Sequence, residues 1–267
     1  MADGLAASHP EPGAPQSPAT SAEGSGPETR PAYYAASPGG WRDWWTLLHP
    51  PYTAWHLSYV VIGAALAPQV TLEPLLATLI AFFLAVGLSA HALDELNGRP
   101  LQTRISAPVL MAIVVAGLAG AVALGVVGVA RVGWALLPFM IVGPILVVAY
   151  NAELFGGIIH TDLGFATAWG AFPVLTAYAA ETGRIAAAPI LAAVAALALS
   201  AAQRRLSTPA RTLRRRSVSV QGSVTLADGQ VTAVDQQMML APLEGALRAM
   251  SWGLVLLAAS LAVARLI

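Results

Sequence analysis

The chain has 267 residues, 57% of them hydrophobic and 10% charged, with fourteen acidic and fourteen basic residues and no net charge. A soluble domain of this size cannot hide that much apolar sequence, so a bilayer environment is expected, and the neutral balance offers no field for nucleic acid. The absence of cysteine excludes disulfides, thiolate metal sites and cysteine nucleophiles. All basic residues are arginine, which excludes lysine Schiff-base chemistry but keeps fork-shaped recognition of phosphate or carboxylate.

Residues 1–40 are rich in Pro, Gly, Ser, Ala and Glu and poor in aliphatic side chains. So little burial cannot offset the entropy of ordering, and a disordered tail is expected. It lacks the basic start and apolar run of a signal peptide. Trp41-Arg42-Asp43-Trp44-Trp45 suits headgroup depth, and an interfacial helix is expected as far as Leu48, ended by Pro50-Pro51. Seven apolar stretches follow, at 52–67, 72–92, 106–130, 132–150, 163–180, 185–202 and 250–266. Each is near the roughly 20 residues a bilayer requires. Glycine and alanine dominate several, which permits close helix packing in lipid.

Between the sixth and seventh stretches, Val218 to Val234 alternates apolar and polar residues around Asp228-Gly229, a β-hairpin signal. An amphipathic segment follows at 238–250. The expected fold is an all-α polytopic transmembrane bundle of about seven spans with one small β-hairpin near the C-terminus. Its parts are the tail 1–40, spans one to six within 41–205, a cytoplasmic connection 206–249 and the last helix 250–267. With the N-terminus cytoplasmic, eleven arginines fall on the cytoplasmic side and three, Arg131, Arg184 and Arg265, on the other. A multi-pass protein of the cell membrane in that orientation is expected.

Polar groups kept near lipid are functional candidates, and three clusters collect at the same ends of the spans. In the first, His91, Asp94 and Glu95 are spaced to share one helical face, with Arg99 and Arg104 downstream to pair an anionic substrate. Imidazole and carboxylates suit a divalent ion; salt bridges to the arginines are the structural alternative. The second holds Tyr150, Asn151, Glu153, His160 and Asp162, where Thr161 or Asp162 also suits an N-cap. The third runs from Gln203 to Arg216, where Arg204, Arg205 and Arg211 with Ser207 and Thr208 suit a diphosphate or an anionic headgroup. Arg214 to Arg216 are read as the topology signal. His49 and His56 are isolated in sequence, and His56 reads as a packed histidine.

At these positions the sequence resembles the UbiA prenyltransferase superfamily. The resemblance is carried by His49-Pro50-Pro51-Tyr52-Thr53, by Arg99-Pro100-Leu101 through Ile105-Ser106, by Tyr150-Asn151, by Asp162-Leu-Gly-Phe with Trp169-Gly170-Ala-Phe-Pro173, and by Arg211-Thr212-Leu213. It implies a helical bundle that moves a prenyl group from an isoprenoid diphosphate, or binds another membrane lipid, at the cytoplasmic face. It further implies catalytic roles for Asp94, Glu95 and Tyr150, and substrate contacts from Arg99, Arg104, Asn151, Arg204, Arg205 and Arg211. Mg²⁺ would be held by His91, Asp94, Glu95, Glu153 and Asp162. The sequence departs from the family in keeping only the central aspartate, Asp94, of the first aspartate-rich motif, none of the second, and seven apolar stretches where the family has nine. A non-catalytic lipid-binding protein or scaffold for another membrane protein, and an unrelated metal-dependent membrane enzyme, are the alternative expectations.

Overall fold

A computed structural model describes residues 30–267. Most of the expected tail, 1–29, lies outside the described residues. The remainder of that tail, 30–40, is placed and packed, with Ala32 and Ala35 buried. The interfacial helix follows as α1 (Trp41–Leu47), with Trp41, Trp44 and Trp45 turned outward and Asp43 inward.

Six helices are long and apolar enough to cross a membrane: α3 (Leu72–Leu96), α4 (Ala107–Val132), α5 (Trp134–Asn151), α6 (Asp162–Thr182), α7 (Ala187–Arg216) and α8 (Gln236–Leu266). The protein is a multi-pass helical membrane protein. The first expected stretch, 52–67, forms α2 (Pro50–Ala65), whose 16 residues are fewer than a bilayer requires of an untilted helix. Two boundaries differ from expectation. α7 continues unbroken through Arg216, so the third polar cluster lies on helix rather than on a loop. The amphipathic segment and the last span are one helix, α8. Between α7 and α8 stand β1 (Gly222–Thr225) and β2 (Val231–Val234), antiparallel with Gly222 opposite Val234, as the alternation around Asp228-Gly229 predicts.

Small residues set the packing. α2 lies against α6 and α8, and α6 also touches α3 and α7. A Cβ on Gly63 would stand 2.3 Å from the Val174 carbonyl oxygen, and one on Gly170 would stand 2.7 Å from that of Ala196. The backbones of α2, α6 and α7 therefore meet directly, and Trp55 and Tyr59 fill the space beside them. Tyr59 accepts from the Trp55 indole at 2.8 Å and donates to the Ala196 carbonyl at 3.1 Å.

Two helices carry π-helical turns, at Phe83–Ala90 in α3 and Thr167–Ala171 in α6. Such wide turns interrupt the i→i−4 ladder and redirect the side chains beyond them. Both precede or contain residues of the site described next.

Gly63→Ala is expected to destabilise the bundle by roughly 1–3 kcal/mol through forced separation of α2 and α6. Gly253→Ala, where a Cβ meets open space, should stabilise the helix slightly. Thermal unfolding in detergent checks both signs.

Candidate functional site

A cavity of about 350 Å³ lies where one end of α3, α5, α6 and α7 meets the start of α2. It draws on all three polar clusters. α3 contributes His91 and Asp94, the end of α5 contributes Tyr150 and Asn151, the α5–α6 connection contributes His160, and α7 contributes Gln203, Arg204, Ser207 and Arg211. Helical spacing explains the last set. Positions 203, 207, 210–211 and 214 recur every three to four residues and share one face. Arg205 falls on the opposite face and is exposed.

Several charges around the cavity are already matched. Arg204 donates through Nε to Asp162 at 3.0 Å and stacks over Phe165. Arg214 clasps Glu244 of α8 in a two-pronged pair, and Arg248 approaches the same carboxylate at 3.6 Å. Asp43 accepts from the backbone N–H of Gly39 and Arg104. Among the described residues, Arg211 makes only a long contact of 3.4 Å to the Thr208 hydroxyl, and Asp94 has no hydrogen bond or ion pair. An unmatched guanidinium and an unmatched carboxylate therefore face one cavity. The Tyr150 hydroxyl and the Gln203 amide oxygen, both buried there, also lack partners. Buried polar atoms left open in this way point to a polar ligand.

The imidazoles share one arrangement. His49, His56, His91 and His160 all line the cavity, and each places Nδ1 near a backbone carbonyl: Leu47 at 2.8 Å, Trp169 at 2.9 Å, Gly87 at 3.1 Å and Tyr150 at 3.0 Å. A carbonyl can only accept, so Nδ1 carries a proton in each. Gly87 and Trp169 belong to the π-helical turns. His49 and His91 stack with ring centres 4.2 Å apart, and His160 stacks on Tyr150 at 4.4 Å. Burial holds His49 down to about 4, with nearby Arg215 and Arg211 acting in the same direction.

Several expected site residues have other work. Glu95 does not share the face of His91 and Asp94. It is fully buried and accepts from the backbone N–H of Leu101 at 2.9 Å, from that of Thr103 at 2.8 Å and from the Thr103 hydroxyl at 2.9 Å. α3 ends at Leu96, the chain doubles back, and the Glu95 carboxylate satisfies the returning backbone. Arg99 supports the same loop by donating to the Ile105 carbonyl at 2.6 Å. Arg104 contributes its backbone N–H to Asp43. Glu153 is exposed, 3.9 Å from His160, and Asp162 is exposed and paired to Arg204, while Thr161 is the N-cap of α6. The expected set His91, Asp94, Glu95, Glu153 and Asp162 does not converge, and no group of three or more His, Asp or Glu among the described residues is arranged to hold a metal ion. Asp94 alone remains. That donor set does not suit a protein-held Mg²⁺ cage, but it suits an ion completed by phosphate oxygens and water, since Mg²⁺ commonly takes one or two carboxylates plus substrate phosphates.

Residues missed in sequence are His49, Tyr34, Tyr52 and Glu244, which no local spacing links to the clusters. A second cavity, of about 180 Å³, lies among α3, α4, α5 and α6 and is lined by apolar side chains such as Phe82, Leu124, Met140 and Phe172. Val86 and Trp169 line both cavities, so an apolar chamber adjoins the polar one.

Glu95→Ala should cost roughly 1–3 kcal/mol for each donor it leaves unpaired, read as a lowered unfolding temperature. His49 titrates near 6.5 in the unfolded chain and near 4 in the folded one. The unfolded state therefore takes up the proton first, and stability should fall as pH drops from 6.5 to 4 and stay level above. His49→Gln should flatten that part of the stability–pH curve. No protein-family model matches this chain, and neither a curated protein nor a solved structure is significantly similar to it, so its function is argued from this cavity.

Proposed function

We propose that this protein is a divergent UbiA-like membrane protein that binds an isoprenoid diphosphate in the polar cavity and transfers its prenyl group to a lipophilic acceptor. The unmatched Arg211 facing a cavity with unpartnered polar atoms is the observation that carries the reading. The adjoining apolar chamber adds to it, because an amphiphile needs both environments side by side. On this reading α2 is a seventh span, and the cavity opens to the cytoplasm, in agreement with the excess of arginine at that end.

Arg211, with the Tyr150 hydroxyl as a second donor, would bind the diphosphate, a charge-assisted contact in a site walled from water. Mg²⁺ brought with the diphosphate would be held by Asp94 and would neutralise negative charge on the leaving group. The allylic C–O bond breaks with its electron pair going to the diphosphate, which leaves carrying the charge that Arg211 stabilises. The acceptor then forms its bond to the allylic carbon and releases a proton. The Nε2 lone pairs of His49 and His91 are neutral acceptors for it within the same cavity.

A second reading, a lipid-binding protein or scaffold without turnover, is favoured by Glu95, whose carboxylate is committed to backbone hydrogen bonds. Binding of farnesyl or geranylgeranyl diphosphate to purified protein tests the site itself. Arg211→Gln should weaken binding about tenfold or more, the effect of losing one charge-assisted hydrogen bond of roughly 1.5–3 kcal/mol. Arg205→Gln should leave binding unchanged. Binding that needs Mg²⁺ and is lost in Asp94→Asn supports transfer. Binding indifferent to both supports the scaffold, and no binding by the wild type overturns the diphosphate site.

A further inference from the structure

The polar cavity is closed on one side by a segment that belongs to none of the helices around it. Residues 31–38 form neither helix nor strand, yet Tyr33 and Tyr34 reach into the cavity and form part of its wall. Tyr34 packs edge-on to Tyr52 at 5.6 Å and lies 5.3 Å from His49, ring centre to ring centre. Burial pushes its hydroxyl well above the usual tyrosine range, so it stays neutral beside the arginines.

Besides the buried Ala32 and Ala35, the segment is held from two flanks. Arg215 donates through Nε to the Pro31 carbonyl at 3.0 Å, and the Arg248 guanidinium lies 4.9 Å from the centre of the Tyr33 ring. On the other flank, the Trp45 indole donates to the Tyr34 carbonyl at 3.2 Å, and the Ala36 N–H donates to Thr46 at 3.0 Å. The segment joins α1 through Gly39 and Gly40, whose φ angles of 122° and 60° only glycine adopts freely. Both latches are cations, but only Arg215 of α7 lines the cavity, where an anionic ligand can recruit it; Arg248 of α8 lies outside that lining and also approaches Glu244 at 3.6 Å. A headgroup that draws Arg215 toward the cavity removes it from Pro31.

We propose that residues 31–38 are a removable strap, latched by Arg215 and Arg248 and hinged at Gly39–Gly40, that shuts the cavity until an anionic ligand competes for Arg215. Only the identity of the ligand rests on the diphosphate reading; the closure itself is independent of it. A strap that is closed nine-tenths of the time lowers apparent ligand affinity about tenfold, because only the open fraction binds.

The natural chain has no cysteine, so one introduced thiol reports access without background. Ser207 lies inside the cavity and is 3% exposed. The full-length Ser207→Cys protein would be labelled with a charged, water-soluble maleimide, alone and combined with Arg215→Gln/Arg248→Gln or with Tyr33→Ser/Tyr34→Ser. Labelling is expected to accelerate about tenfold in both combinations, and Arg205→Gln, on the outward face, should leave the rate unchanged. The tyrosine pair keeps the test sound if removal of the arginines unfolds the protein. Equal rates in all folded variants overturn the strap, whether or not farnesyl diphosphate binds. Faster labelling in the variants together with no binding of farnesyl diphosphate by the wild type establishes the strap and removes the diphosphate.

Discussion

Charge matching at one end of an apolar bundle is the constraint on which this structure depends. Within a bilayer a polar group must find its partner inside the protein. Glu95 meets it by accepting three hydrogen bonds from the loop after α3, and Asp43 meets it by tying α1 to Arg104. Glu244 joins α8 to α7 through Arg214, and Asp162 pairs the start of α6 with Arg204. These pairs fix how α1, α3, α6, α7 and α8 meet. Against that background the unmatched Arg211 and Asp94 stand out as the functional candidates, because the same rule that explains their neighbours leaves them unexplained.

The wide turns in α3 and α6 serve the same end. An α-helix ties up its carbonyls, and a buried imidazole then has few backbone acceptors. Gly87 and Trp169, within the π-helical turns, accept from His91 and His56 and so hold two imidazoles at the cavity. Gly63 assists by letting α2 approach α6 closely, the two helices that the His56–Trp169 hydrogen bond joins, and Gly170 lets α7 approach α6 beside it. The packing of small residues and the chemistry of the cavity are therefore one design.

The sequence made the helices legible, because lipid rewards long apolar runs whatever their neighbours; each expected stretch lies on a helix, and the Asp228-Gly229 turn marked the hairpin. The cavity was legible in outline through His91, Asp94, Tyr150, Asn151, Arg204 and Arg211. Individual roles were less so. His91, Asp94 and Glu95 have the spacing of one face, but α3 ends at Leu96, and the returning backbone draws Glu95 to itself. The order of residues 30–40 was hidden because their composition is that of a tail, and their stability comes from Arg215, Arg248 and Trp45, distant or adjacent partners that composition does not register. Glu244 escaped notice for the same reason: its partner lies thirty residues away on another helix.

If the chain is the divergent UbiA-like protein proposed above, the degenerate aspartate motifs acquire a physical meaning in this arrangement. Two ions held by the protein need several convergent carboxylates, and among the described residues lining the cavity only Asp94 is free. A cavity walled by arginines needs fewer, because guanidinium groups neutralise phosphate directly and bind it in a fixed fork. Replacing carboxylate-held metal by arginine also changes what holds the empty site together. Clustered aspartates repel one another until an ion arrives, whereas unliganded arginines can be occupied by carbonyl oxygens and aromatic faces. Residues 31–38 supply both, through the Pro31 carbonyl and the Tyr33 ring. On the proposed reading, Arg211 stays open for the anion while its neighbour Arg215 is held by the strap, so an arriving anion meets one free guanidinium and draws on a second that the Pro31 carbonyl occupies until then.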